Sequence, residues 1–367
     1  MKLRYSVITI GICLVLMFTT LPLVTGCGAT TTTATATATV TTTIQPIILR
    51  VPTTAPPPPS MGLTLTQSEI GKLIEAKTNG RVKLEIYWSE SLVKGTETIN
   101  ALQTGVADLA YLRSFAEPGK VPLCTSSELP GISQDNWSLL WGYWDLMNQP
   151  EISGELAKYN LKQICSILIA QQNLISRTPI RTIDDLKGKK VAASGVSAEI
   201  VKGLGGVPLA MSPAEQYEGL LRGTVDAICA PPDAVQSFKF YEGGKYYTKV
   251  QISPRMHPVV MNKDTWNKLP ADIQKIFTDM VPELHAVAYD TIMNQTAGAA
   301  WKAMADAGVE IITFSAADEA KAQQVRAAYA DKWAADMEAK GLPGNKVLND
   351  YKTFVAKYEK TSPYINK

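Results

Sequence analysis

The stretch RTPIRTIDDLKGKKVAASG at residues 177–195, continued by LGGVPLAMSPAEQYEGLLRGTVDAICAPPDAVQSFKFY at 204–241, decides the fold. KKVAA, VPLA and TVDAICA read as short apolar strands. SAEIVKGL, PAEQYEGLL and PDAVQSF follow them in turn with helical spacing. Strand and helix in strict alternation predict a doubly wound α/β domain, whose ligands sit in the crevice beyond the carboxyl ends of the strands. One wall of that crevice is expected here.

Working outward, Lys2 and Arg4 precede an uncharged apolar run at residues 8–23, the pattern of an export signal rather than a membrane span. It closes on Val24-Thr25-Gly26-Cys27, which resembles a bacterial lipobox. The expectation is a lipoprotein signal peptide at 1–26, with acylated Cys27 holding the exported chain to a lipid bilayer; two acyl chains anchor stably where one is marginal. Residues 27–45 are nearly all Thr and Ala and predict a disordered tether. Losing residues 1–26 removes Lys2 and Arg4 and leaves 34 basic against 34 acidic side chains. A neutral chain offers no clustered positive field, which argues against nucleic acid as a partner. Cys124, Cys165 and Cys229 are odd in number and lack CxxC spacing, so one disulfide and three free thiols both stay open.

Between tether and crevice wall, IILRV at 47–51 reads as a strand and Ser60 as the cap of a helix starting at Met61. Strand RVKLEIYW, a short helix around residues 96–102 and strand VADLAYL complete a βαβαβ start to a parallel sheet. Trp137, Trp141 and Trp144 share a helical face, either packed in the core or lining a cleft. LKQICSILIA leaves this first domain as a strand, and TKVQISPRMHPVVMN returns as a strand shared between domains. Helical spacing then runs from Pro270 to about Gly308, with a kink expected at Pro282. VEIITF reads as a late edge strand, and the Ala-rich run to Gly341 as a surface helix.

Several pieces carry a family resemblance in order and spacing. They are IGKLIEAKTNGRVKLEIYW with QTGVADLAYL, T-P-I-x-T-x-x-D-L-K-G-x-K from Thr178, P-x-x-x-x-P-x-E-x-Y-E-x-L-x-x-G-x-V-D from Pro208, and MNKDTW-x-x-LP from Met261. Together they resemble the solute-binding proteins of tripartite ATP-independent periplasmic (TRAP) transporters, of the C4-dicarboxylate-binding type. The resemblance implies an α/β fold, a two-lobed periplasmic-binding-protein clamshell with a mixed sheet in each lobe and a long bracing helix. It divides the chain into 46–171 plus about 257–297 in one lobe, and 172–256 plus about 298–364 in the other. It also implies a small organic solute and the membrane subunits of a TRAP permease as partners, with no cofactor, no metal and no catalysis.

The candidate ligand contacts come partly from strand-end positions and partly from the resemblance. Tyr111 and Arg113 stand at the carboxyl end of a strand, the ligand side of such a sheet. The family's carboxylate-holding arginines would fall at Ala192 and near Gln172, so both signature cations are missing. Ser194, Tyr217, Pro231 and Asp233 complete the set, with Asp233 also readable as a helix N-cap. Three readings stay open: a neutral or zwitterionic ligand, a carboxylate reached by Arg113 or Arg177 instead, or a shifted register. The chain's two histidines, His257 and His285, have no partner at metal or triad spacing, and no hydrolase, P-loop or dinucleotide motif is present. A ligand-sensing module for a membrane receptor and an exported enzyme on the same fold are the alternatives.

Overall fold

In the segment Ile47–Pro52 every second side chain turns inward, so Leu49 and Val51 lose all contact with solvent. This computed structural model describes residues 45–58 and 61–364. In chain order its strands are β1 (Ile47–Pro52), β2 (Val82–Tyr87), β3 (Leu109–Tyr111), β4 (Leu161–Ile169), β5 (Asn173–Ser176) and β6 (Lys190–Ala192). β7 (Val207–Leu209), β8 (Ala227–Ala230), β9 (Tyr246–Lys249), β10 (Arg255–Asn262) and β11 (Glu310–Thr313) follow. The expected signal peptide, Cys27, almost all of the tether and the Ser60 cap lie outside the described residues.

In the first lobe β1 pairs parallel with β2, as the βαβ reading requires. β10 lies between β3 and β4 and runs antiparallel to both. Asp108 ties the pieces together. Its N–H donates to the Arg50 carbonyl at 3.0 Å, and its carboxylate accepts from the Arg50 N–H at 2.9 Å and Nε at 2.7 Å.

The second lobe is a six-stranded mixed sheet in the order β11-β9-β5-β8-β6-β7. β6 is parallel to β7 and β8, whereas β5 is antiparallel to β8 and β9. Leu174, Val191 and Ala227 face one apolar cluster, and their neighbours Ile175, Ala192 and Ile228 face another. Burial on both faces explains why these strands read as unbroken apolar runs.

Two segments cross between the lobes. β4 passes into β5 through residues 170–172, and β9 into β10 through 250–254. The single shared strand expected in TKVQISPRMHPVVMN is thus two strands in two sheets, interrupted around Pro254, which has no N–H to give a ladder. The crossovers pair with each other: Gln172 N–H donates to the Ser253 carbonyl at 3.1 Å, and Ile252 N–H to the Gln172 carbonyl at 2.8 Å.

The long helical run also crosses. It is divided at Met280 into Ala271–Asp279 and Val281–Tyr289, with Pro282 in the first turn of the second piece, where proline is tolerated. A π-helical stretch, Asp290–Thr296, joins it to Ala297–Asp306. Ile273, Phe277 and Leu284 pack in the first core and Met304 in the second, so the run spans both lobes.

The C-terminal part departs from the expected boundary. Helix Ala316–Glu338 is no mere surface helix: Ala322 packs in the second lobe, while Trp333, Ala334 and Met337 pack in the first. Helix Gly344–Glu359 buries Val347, Leu348, Tyr351 and Val355 in the first core, although residues 298–364 were expected to belong to the second lobe. Gly142 permits this, because a Cβ there would sit 2.5 Å from Val355 Cγ2. Cys124, Cys165 and Cys229 are free thiols. None of the helices formed by the described residues is long and apolar enough to cross a membrane.

Candidate functional site

Where the crossovers pair, elements of both lobes converge on a cavity of about 190 Å³. β8 ends there at Cys229 and Ala230, and Pro231 leads into helix Pro232–Ser237. From the second lobe Gln216, Asp233, Ala234, Phe238 and Phe240 add to the wall. The first lobe contributes Met61 and Leu63 at the start of helix Gly62–Lys77, Ile169 at the end of β4, and Arg255 at the start of β10. Gln172, on the crossover itself, completes the lining. Phe238 and Phe240 stack with their centroids 5.5 Å apart, so much of the wall is apolar or aromatic.

Asp233 reaches from the second lobe to the first. Its carboxylate accepts from Gly62 N–H at 3.4 Å, at the start of a helix whose own N-cap, Met61, offers no side-chain acceptor. Burial pushes the Asp233 carboxyl up, opposed by backbone N–H groups of Gly62, Ala234 and Asp233 itself. The N-cap of its own helix is Pro231, so Asp233 serves the neighbouring helix across the cleft.

Arg255 stands in a buried charge cluster. Its Nε lies 3.6 Å from Glu128 Oε1, too far for a hydrogen bond, and both atoms are buried without a hydrogen-bond partner. Phe115 carries two guanidinium groups, with Arg113 at 4.7 Å and Arg255 at 5.3 Å from the ring centroid. Arg113 also donates to Thr54 Oγ1 at 2.9 Å. Burial pushes Glu128 up against the pull of Arg255 and Arg113, and burial with the neighbouring Arg255 charge pulls Arg113 down. His257 meets Phe115 edge-on at 6.1 Å; burial, then the charges of Arg113 and Arg255, push it down to about 3, so the ring stays neutral.

The structure gathers only part of the expected contact set. Gln172, Pro231 and Asp233 line the cavity. Ala192 is fully buried beneath it, packed in one cluster with the lining residues Ala230, Ala234 and Phe240. Tyr111 is buried with its hydroxyl unpartnered, and Arg113 stands outside the lining, stacked on Phe115 beside Arg255. Ser194 is exposed on the loop after β6. Tyr217 turns from the cleft to donate to Glu242 at 2.5 Å, leaving the adjacent Gln216 to face the cavity.

Arg177 is at the wrong end of its strand. Because β5 runs antiparallel to β8, Ser176 pairs with Ala227 while the site lies at the other end, where Asn173 pairs with Ala230. Sequence reasoning missed Arg255; a charged residue directly after Pro254, opening a strand, is the signal that marks it.

The three tryptophans divide their roles. Trp137 packs edge-on against Tyr289 at 5.3 Å, while Trp141 and Trp144 line a separate hollow of about 330 Å³ with Trp266 and Lys162. That hollow shares no residue with the cleft cavity. Among the described residues no group of three or more His, Cys, Asp or Glu is placed to hold a metal ion.

Residues 57–336 match the family model of bacterial extracellular solute-binding protein, family 7 (DctP). The chain is 27% identical over 311 residues to the C4-dicarboxylate-binding periplasmic protein DctP of Rhodobacter capsulatus, covering 82% of this chain and 91% of the relative. It is 26% identical over 250 residues to a monocarboxylate 2-oxoacid-binding periplasmic protein of Nostoc sp., covering 65% of each chain. Among solved structures, a TRAP periplasmic solute binding protein from Desulfovibrio salexigens superposes with a TM-score of 0.78 at 26% identity, over 88% of this chain and 99% of that one.

Proposed function

We propose a function from one premise: the chain belongs to bacterial extracellular solute-binding protein family 7, the TRAP solute-binding proteins. It captures a small organic acid outside the cytoplasm and hands it to the membrane subunits of a TRAP-type permease. The observation that carries this is a cavity walled by both lobes at the point where the two crossovers pair. A ligand held by both walls favours the lobe arrangement that makes both sets of contacts, and that differential contact is the source of the switch. The relatives fit the class: one is named for C4-dicarboxylates and another for monocarboxylate 2-oxoacids. In the Desulfovibrio structure the C-terminus of a symmetry mate is bound in the ligand binding site.

The protein acts as a receptor without chemistry of its own, and acylated Cys27 holds it at the membrane surface. A thermal-shift and calorimetric screen of mono- and dicarboxylates, amino acids and polyols tests the function. A true ligand at a hundredfold excess over Kd stabilises by about 2.7 kcal/mol. Silence across every acid, or turnover of the bound compound, sinks the proposal.

A further inference from the structure

We propose that Arg255 is the carboxylate anchor of this site and that it selects a compact monocarboxylate with an apolar body. The inference rests on the solute-capture reading above and goes beyond it to the ligand's charge and shape.

Arg255 lines the cavity with a side chain 25% exposed, yet its guanidinium donates no hydrogen bond among the described residues. A guanidinium presents five donors in a planar fork, and buried donors in folded proteins are nearly always paired. The nearest carboxylate, Glu128, stops at 3.6 Å and leaves its own Oε1 unpartnered. Glu128 therefore lowers the cost of holding a cation here without using up its donors. Phe115 supports both guanidinium groups, but Arg113 is already engaged with Thr54. Of the two, Arg255 alone lines the cavity. A ligand carboxylate is the acceptor that a fork of this kind takes in two parallel bonds.

Counting charge decides between one carboxylate and two. Arg255 is the single cation among the lining residues, and Asp233 is the single carboxyl. A second ligand carboxylate would lie on apolar wall or beside Asp233, with no cation to meet it. The remaining wall suits a hydrocarbon or ring: Leu63, Ile169, Phe238 and Phe240 are apolar. Gln172 Oε1 already accepts from the Ser197 hydroxyl and the Cys229 thiol, so its amide nitrogen is the end left to donate to a ligand oxygen. At about 190 Å³ the cavity is smaller than the roughly 300–1,000 Å³ typical of drug-sized ligands. A six-carbon ring or a branched chain with one carboxylate matches this space and charge. The chain thus places its cation on the first lobe's β10, instead of at the positions filled by Ala192 and Gln172.

The test titrates benzoate, 4-methyl-2-oxopentanoate and succinate into the purified full-length protein by calorimetry. Arg255→Ala, Arg255→Lys and Arg177→Ala are compared with the parent. The parent should bind at least one of the two monocarboxylates at least tenfold more tightly than succinate. Arg255→Ala should weaken that binding by about a hundredfold or more, as loss of a desolvated charge partner does. Arg255→Lys keeps the charge but not the fork and should fall between the two, which also covers the case of an Ala variant that does not fold. Arg177→Ala, remote from the cavity, should bind as the parent does. The inference is overturned if Arg255→Ala or Arg255→Lys binds as tightly as the parent, or if succinate is preferred. Failure of the parent to bind any acid in the wider screen would overturn the solute-capture reading itself, a distinguishable result.

Discussion

Arg326 offers the sharpest check on how the lobes are joined. It sits midway along helix Ala316–Glu338, only 2% exposed, between the part that packs in the second lobe and the part that packs in the first. Its Nη1 donates to the Val250 carbonyl at 2.7 Å, its Nη2 to Glu319 and to Gln323 Oε1, and its Nε to Gln323 Oε1 at 3.2 Å. Val250 begins the crossover that leads to Arg255. Replacing Arg326 with Met keeps much of the apolar stem and deletes every one of these bonds. The Val250 carbonyl then loses its charged donor, at about 1–3 kcal/mol for a buried unsatisfied group. Breaking a buried ion pair adds to this, discounted because the Glu319 side chain is 29% exposed and partly solvated. The sum is about 2–4 kcal/mol, or roughly 3–6 °C in Tm for a chain of this size. Chemical denaturation with calorimetry measures it, and Arg326→Lys should recover less than half. A Met variant melting within about 1.5 °C of the parent, about 1 kcal/mol, would refute the claim that this arginine ties the crossover down.

Further expectations follow from the same packing. Gly142→Ala should destabilise by about 1–3 kcal/mol, since the new methyl meets Val355 at 2.5 Å, measured as a lowered denaturation midpoint; an unchanged midpoint would mean helix Gly344–Glu359 does not pack on the first lobe. His285 accepts the Ser166 N–H at 3.1 Å and, like His257, is pushed down to about 3 by burial. A depressed histidine contributes stability that is full above the unfolded value near 6.5 and is lost as pH falls from there toward 3, so replacing His285 with Gln should flatten that acid limb of the stability curve. Asp233 has the opposite sign: its carboxyl is raised by burial, so its contribution declines as pH climbs above the ordinary aspartate value of 3.8. Asp233→Asn keeps an acceptor for Gly62 and removes that decline, giving equal or greater stability at pH 7; a large loss there would show that the ionised form is required.

How much of this was legible beforehand depends on where the information lies along the chain. β6, β7 and β8 stood out because each is a short apolar run leading into a helix, and in β6 and β8 burial on both faces leaves no polar alternation to confuse the pattern. Strand direction was not legible. Nothing local says that β5 runs against β8, and that single inversion carries Arg177 away from the site. The C-terminal boundary failed for a similar reason. Helix Gly344–Glu359 has a clear apolar face, but its partner is a groove at Gly142, some two hundred residues earlier. The cavity brings together Met61, Gln172, Pro231 and Arg255 from four separate segments. Sequence resemblance marks the positions at 172 and 192, and the strand-end turn marks 231, but only the paired crossovers bring Arg255 beside them.

The carboxyl and the guanidinium lining the cavity have opposite relations to closure. Asp233 Oδ2 finds an acceptor role within the protein, capping Gly62 across the cleft, so this contact favours approach of the lobes with or without ligand, while its Oδ1 is buried without a partner. Arg255 donates to no such partner, and its buried Nε is left for an acceptor arriving from outside. A protein whose polar groups were all paired across the cleft would stay closed and discriminate nothing. One whose groups were all unpaired would have a large penalty for desolvating them without ligand. Placing Arg255 on the first lobe, with Asp233 and most of the apolar wall on the second, makes closure depend on a ligand that carries both a carboxylate and an apolar body. Either half alone leaves one wall without its differential contact, and a ligand shifts a conformational equilibrium only by the difference in its affinity for the two states.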